Sequence, residues 1–199
     1  IVDAIPKLVA RKLLEPALDL PDKVRLICHE GKINGLLGEL ALHHLDVVIS
    51  DAPVPPGLSI KAYSHLLGQC GTTFFAVKPM AAALQKSFPQ SLHGAPILLP
   101  MQMSALRGAL DQWFLKQKIT PHIIAEFDDS ALLKVFGQQG DGVFVAPTII
   151  DREVTRQYQV DIVGSTADVK ESFYAISVER RLKNPAVAAI SNSARKDIF

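Results

Sequence analysis

Apolar positions along the chain change their period several times, and each change marks an element. From Ile5 to about Leu18 they recur at helical spacing, with Pro6 in the first turn, where a missing N–H costs nothing. Val24-Arg25-Leu26-Ile27-Cys28 predicts a short strand. From Ile33 to His43 the pattern is helical again, with Leu36, Leu37 and Leu40 on one face. Leu45-Asp46-Val47-Val48-Ile49 is an apolar run of the kind buried on both faces of a parallel sheet, and Pro53-Val54-Pro55-Pro56-Gly57 breaks it off.

The second half repeats this order. Pro96-Ile97-Leu98-Leu99 predicts a strand, and Ser104 to Lys116 a helix with Leu106, Leu110, Trp113 and Phe114 inward. His122 to Phe127 reads as a strand, Asp129 to Phe136 as a helix ended by Gly137, and Val143-Phe144-Val145 as a strand. Right-handed crossovers make each half a small parallel sheet with helices on its faces. Two extended segments, Gly71 to Val77 and about Val160 to Val178, and a helix near Ala186 to Ala194 remain. The resulting α/β architecture is two Rossmann-like lobes joined by two crossing strands. Residues 1–70 and 165–199 form lobe I, to which the last helix returns, and residues 71–164 form lobe II, with a cleft between the lobes.

Length and composition narrow the classes. A chain of 199 residues that is 48% hydrophobic fills a real core. A net charge of +1 argues against this chain alone wrapping nucleic acid, which takes a clustered basic surface. Cys28 and Cys70 fit no zinc or CxxC spacing and are expected reduced, with Cys28 buried in its strand. No apolar run reaches the length of a membrane span. Ile1-Val2-Asp3 reads as the tail of a strand, which suggests a fragment of a longer protein.

Ligands of parallel sheets bind outside the carboxyl ends of the strands, where helix N-termini present free N–H groups. Here those ends are Asp3-Ala4-Ile5, then Glu30-Gly31 with Ile33 opening the helix, Asp51, Gln102-Met103-Ser104, Asp128-Asp129 and Ala146-Pro147-Thr148. Asp128 is expected to cap the helix that follows, with Asp129 in its first turn. Ser104 has the same capping character. Glu30 reads equally as a pocket carboxylate or a solvated one, and Asp51 as a pocket residue or the start of the Pro-rich turn. The six histidines have no metal-ligand spacing and read as surface groups, His29 beside Glu30 being the candidate for pH sensing. No phosphate loop, metal cluster, nucleophile elbow or cofactor motif is visible, so neither catalysis nor a cofactor is expected.

The chain resembles the effector-binding domain of LysR-type transcriptional regulators. The general features are Pro16 ending a first helix, Leu40 ahead of Leu45-Asp46, and Val145-Ala146-Pro147 after a strand. More specific are the blocks Leu45 to Asp51, Gly68-Gln69-Cys70-Gly71, Glu126 to Leu132 with Phe127-Asp128-Asp129 at its heart, Phe136-Gly137, Val143 to Thr148 and Asn184-Pro185-Ala186-Val187. They are similar to a sodium-responsive subgroup that activates sodium/proton antiporter genes. The Pro100 to Ser104 loop is less basic than that subgroup implies, and the Pro53 to Gly57 turn is particular to this chain.

The resemblance implies a periplasmic-binding-protein-like fold of type 2 and a cytoplasmic, non-membrane transcription factor whose winged helix-turn-helix lies N-terminal to Ile1 and binds promoter DNA. It also implies a homodimer through this domain, a tetramer of the whole protein, and contact with RNA polymerase. In the dimer, the helix Pro6 to Leu18 and the strand Val24 to Cys28 would pack antiparallel against the helix from Ser104 and the strand His122 to Glu126 of a partner. The ligand would be a small effector or sodium, whose carboxylate candidates are Asp128, Asp129 and Glu30. A solute-binding protein of a transporter shares the fold and is the alternative, since fold alone does not fix function.

Overall fold

The structure is a computed structural model that describes residues 1–57, 60–102 and 104–199, and for Asp197 the backbone only. The chain divides into two compact units, residues 1–69 with 172–199, and residues 70–171. Two long strands, β2 (Tyr63–Ala76) and β6 (Asp161–Ser177), each run through the boundary.

Unit 1 opens with Ile1–Asp3, where Val2 pairs in parallel with Gly31. Helix α1 (Lys7–Leu18) follows, with Val9, Ala10, Leu13 and Ala17 buried at helical spacing. Pro16 lies inside α1 rather than ending it: the helix continues for two residues to Leu18, without the N–H bond that Pro16 lacks. Helix α2 (Ile33–Ala41) buries Leu36, Leu37 and Leu40, the face expected. Strand β1 (Val48–Ser50) pairs antiparallel with Tyr174–Ile176 of β6. Helix α7 (Pro185–Ser193), capped by the Asn184 side chain on the amides of Ala186 and Val187, packs against α1.

The expected strand Val24–Cys28 does not form. The segment is extended, but no pairing is assigned to it among the described residues, and Cys28 is exposed rather than buried. A strand without a ladder partner leaves its backbone to water, and β-propensity does not replace the partner.

Unit 2 contains helix α3 (Lys78–Leu84), strand β3 (Pro96–Pro100), helix α4 (Ala105–Gln117), strand β4 (His122–Phe127), helix α5 (Ser130–Gln139), strand β5 (Phe144–Pro147) and helix α6 (Asp151–Tyr158). β3 and β4 are parallel, and Ile97 also bridges in parallel to Val143. β5 pairs antiparallel with Thr72–Phe75 of β2. Each unit therefore mixes parallel and antiparallel pairing, where wholly parallel sheets were expected, because the crossing strands supply neighbours of opposite direction. Helix α5 runs past Gly137 and stops at Gly140, whose φ of +88° suits a left-handed C-terminal residue. The core joins Ile97, Leu99, Leu110, Val143 and Val145 to Phe74, Trp113 and Phe114, with the Phe74 and Trp113 rings 5.4 Å apart and stacked.

Candidate functional site

The strand ends expected to hold a ligand are divided between the units: those at Asp3, Glu30 and Asp51 in unit 1, and those at Ser104, Asp128–Asp129 and Ala146–Thr148 in unit 2. In unit 2, Ser104 caps α4 by accepting a hydrogen bond from the Arg107 amide at 3.1 Å, leaving the first-turn N–H groups oriented past its hydroxyl. The amide of Met101 donates to the Phe127 carbonyl at 3.0 Å, which ties the loop holding Gln102 to the end of β4. Met103 lies outside the described residues.

At that strand end the capping order is shifted by one residue from expectation. Asp129, not Asp128, is the cap: its carboxylate accepts from the Ala131 amide at 2.6 Å, and the helix starts at Ser130. Both aspartates are exposed. Tyr158, at the end of α6, has its phenol pKa raised by burial first and then by the charge of Asp129, so α6 reaches the same loop.

Ala146 and Pro147 are buried, pairing with Thr73 and Thr72 of β2, so Thr148 is the member of that trio whose side chain reaches the surface. Thr148 also hydrogen-bonds the Cys70 thiol. Burial foremost, then the Glu171 carboxylate, pushes that thiol up to about 11, so Cys70 stays protonated and unreactive at neutral pH.

A residue missed from sequence organises this cluster. Arg107 is 4% exposed, yet its Nε and Nη1 groups are hydrogen-bonded. Nε donates to both Asp111 oxygens at 2.9 and 3.0 Å, and Nη1 donates to the Pro100 carbonyl at 3.0 Å and to Glu126 of β4. Burial alone lowers its pKa, and Glu126 and Asp111 together more than reverse that, so it remains charged. The guanidinium thereby fixes the loop after β3 to the strand beside it. Its signals were the spacing from Ser104 and the i,i+4 placement of Asp111.

In unit 1 the Asp3 amide donates to the Gly31 carbonyl at 3.2 Å, and Lys32 Nζ lies 3.3 Å from the Asp3 carboxylate. Glu30 is ion-paired with Lys7 at 2.5 Å. Asp51 has its pKa raised, by burial foremost, with the Asp3 charge adding to it against its own backbone hydrogen bond. Asp3, Glu30, Gly31 and Asp51 are thus gathered, with Ala4 exposed, Ile33 half-buried and Ile5 in the core at 1% exposure. Among the described residues no group of His, Cys, Asp and Glu has the makeup to hold a metal ion.

The transcriptional activator protein NhaR of Escherichia coli is 33% identical over 199 residues, all of this chain, and the chain spans 65% of that relative's length. Among solved structures, the effector binding domain of QuiR in complex with shikimate superimposes with a TM-score of 0.68 at 14% identity, over 97% of this chain and 91% of that one. DarR of Vibrio fischeri, solved in complex with DNA, gives 0.68 at 16% identity, over 94% of this chain and 65% of that one. These neighbours carry the periplasmic-binding-protein-like fold of type 2, which this chain shares, and the transporter-protein alternative is not favoured. The LysR substrate binding domain matches residues 4–197, and the chain belongs to that family, the effector-binding part of LysR-type regulators.

Proposed function

We propose that this domain senses the effector of a cytoplasmic LysR-type transcriptional activator that controls a sodium/proton antiporter gene in response to sodium or pH. The observation that carries this reading is the 33% identity to NhaR across the full 199 residues. In it, promoter DNA is bound by a winged helix-turn-helix outside this chain, this domain forms the homodimer, the whole protein is a tetramer, and RNA polymerase is the downstream partner. The domain itself is a binding module without catalysis. Among the described residues no helix is long and apolar enough to cross a membrane.

The effector is taken by the strand-end clusters. Asp3, Ala4, Ile5, Glu30, Gly31, Ile33 and Asp51 belong to one, and Gln102, Met103, Ser104, Asp128, Asp129, Ala146, Pro147 and Thr148 to the other. A hard cation seeks oxygen ligands, and the carboxylate candidates are Asp128, Asp129 and Glu30, of which Glu30 is ion-paired with Lys7. An effector shifts the domain between conformations only by its difference in affinity for them. The reading is tested with the whole regulator on an antiporter-promoter reporter, and with sodium titration of this domain's melting curve against potassium. A sodium-dependent rise in transcription is expected, with a sodium-specific rise in Tm if the ion binds directly. Reporter output indifferent to sodium in cells that contain the regulator would sink the reading.

A further inference from the structure

Arg107 fastens both ends of the turn that follows β3. Its amide donates to the Ser104 hydroxyl at 3.1 Å, and its Nη1 to the Pro100 carbonyl at 3.0 Å. Within the turn, the Ser104 amide donates to the Met101 carbonyl at 3.0 Å. The same Nη1 donates to Glu126, the last residue but one of β4. The Met101 amide donates to the carbonyl of Phe127, the last. Nη1 carries two hydrogens, and the Pro100 carbonyl and Glu126 take both.

The turn carrying Gln102 and Ser104 is thus held on the end of β4, which Asp128 and Asp129 follow directly. Two carriers of candidate ligand groups meet there, and one buried side chain ties them together. Asp111 plays a different part. It lies one turn further along the same helix, so its bonds to Nε orient the guanidinium without joining a second segment.

We propose that Arg107 is a positioning residue of the effector response: it sets the spacing between the Pro100–Ser104 turn and the Asp128–Asp129 loop, and with it the affinity for the effector. This rests on the reading that those two segments of unit 2 take the effector. A turn held before binding needs no ordering by the ligand, whereas a released turn must be ordered as the ligand binds, which weakens affinity. If the held arrangement falls to about one-tenth of the population, the apparent Kd rises about tenfold. Lysine keeps the charge but lacks the fork, so it cannot serve Asp111 and the Pro100–Glu126 pair at once.

The test is transcription from the antiporter promoter by the purified whole regulator with RNA polymerase, as sodium replaces potassium at constant ionic strength. Arg107→Lys and Glu126→Ala are expected to raise the sodium concentration of half-maximal output by about tenfold, with output at saturation retained. Glu126→Gln, which keeps an acceptor oxygen, should shift it much less, and so should Asp111→Ala. All four variants are melted in parallel, because a merely structural role predicts a shift that follows the loss of Tm. The Glu126 side chain is 35% exposed, so Glu126→Ala carries the test if Arg107→Lys does not fold. A responsive wild type whose half-maximal sodium is unchanged by Arg107→Lys or Glu126→Ala overturns this inference alone. So does an equal shift in Asp111→Ala at equal Tm. A wild type indifferent to sodium sinks the sodium reading, and this inference with it.

Discussion

In unit 2, β3 lies between two partners, β4 in a parallel ladder that skips Ile124 between Ile97 and Leu98, and Val143 on its other side, and Ile97, Leu98 and Leu99 are wholly buried. In unit 1 Val2 pairs in parallel with Gly31 and donates to the Ile49 carbonyl, while Lys23–His29 and Leu45–Val47 border a cavity. The stretches VRLIC and HIIAEF have comparable strand character, yet only the second is a strand. The difference lies in the neighbour: β4 has β3 to bond, whereas Val24–Cys28 faces the groove. Strand propensity states a fitness for a pleated surface, and the central strand decides whether the surface exists.

This contrast extends to the polar groups. Arg107 is buried and holds the Pro100 carbonyl and two carboxylates, while one ion pair of unit 1, Lys7 with Glu30, is about half exposed at 46% and 48%. Arg107→Met should cost about 3 kcal/mol, because it strands the Pro100 carbonyl and Glu126 and loses the guanidinium's packing. Lys7→Met should cost about 0.5 kcal/mol. Urea denaturation of the two variants measures both, and equal losses would break the distinction between an interior clamp and a solvated pair.

Helix glycines sharpen the comparison of packing. A Cβ on Gly137 of α5 would lie 2.1 Å from the Phe144 ring, which is itself fully buried and stacked on Phe75. Gly137→Ala should therefore destabilise by about 2 kcal/mol, in spite of alanine's better helix propensity. Gly35 of α2 in unit 1 has nothing within 4 Å, so Gly35→Ala should stabilise by about 0.8 kcal/mol. Calorimetric melts give the signs directly. A gain at Gly137 would mean that the Phe144 ring shifts to admit the added methyl group.

The helix caps of the two units should be more nearly equal. Asp129→Ala in unit 2 and Asn184→Ala in unit 1 each remove a side-chain acceptor from first-turn amides, at about 1 kcal/mol apiece. Asp128→Ala should cost less than Asp129→Ala, and the reverse order would restore the capping register expected from sequence.

These particular residues show how much was legible beforehand. The elements of unit 2 from β3 to β5 were readable to within a few residues, because period and turn signals agree there. Helix α6 was not, since Val154 is its one buried residue and a polar helix has no apolar stripe to read. The end of α5 was misplaced because Gly137 resembles a terminator in sequence, while its actual role is to admit the Phe144 ring. Ser104 was identifiable as a cap from local spacing. Arg107 was not identified, because a charged residue is expected outward and its partner Glu126 belongs to a separate strand. Local rules find caps; they do not find a clamp made by three segments.

The smallest expected effect concerns two half-buried carboxylates, one in each unit. Asp51 and Asp151 both have raised pKa values, burial being the first cause in each. The folded state therefore favours the protonated form, so this contribution to stability is whole below the ordinary carboxylate value of 3.8 and is lost as pH rises through the raised folded value. At neutral pH each charge is a cost. Asp51→Asn should consequently raise Tm slightly at pH 7, with the gain fading as the pH falls below 3.8. Asp151 differs, because the Thr73 hydroxyl donates to its carboxylate at 3.1 Å and offsets part of the burial cost. Asp151→Asn should then gain less than Asp51→Asn at pH 7. Melting both variants across pH separates the causes: a gain at Asp51 that persists unchanged in acid would assign its effect to packing instead of charge.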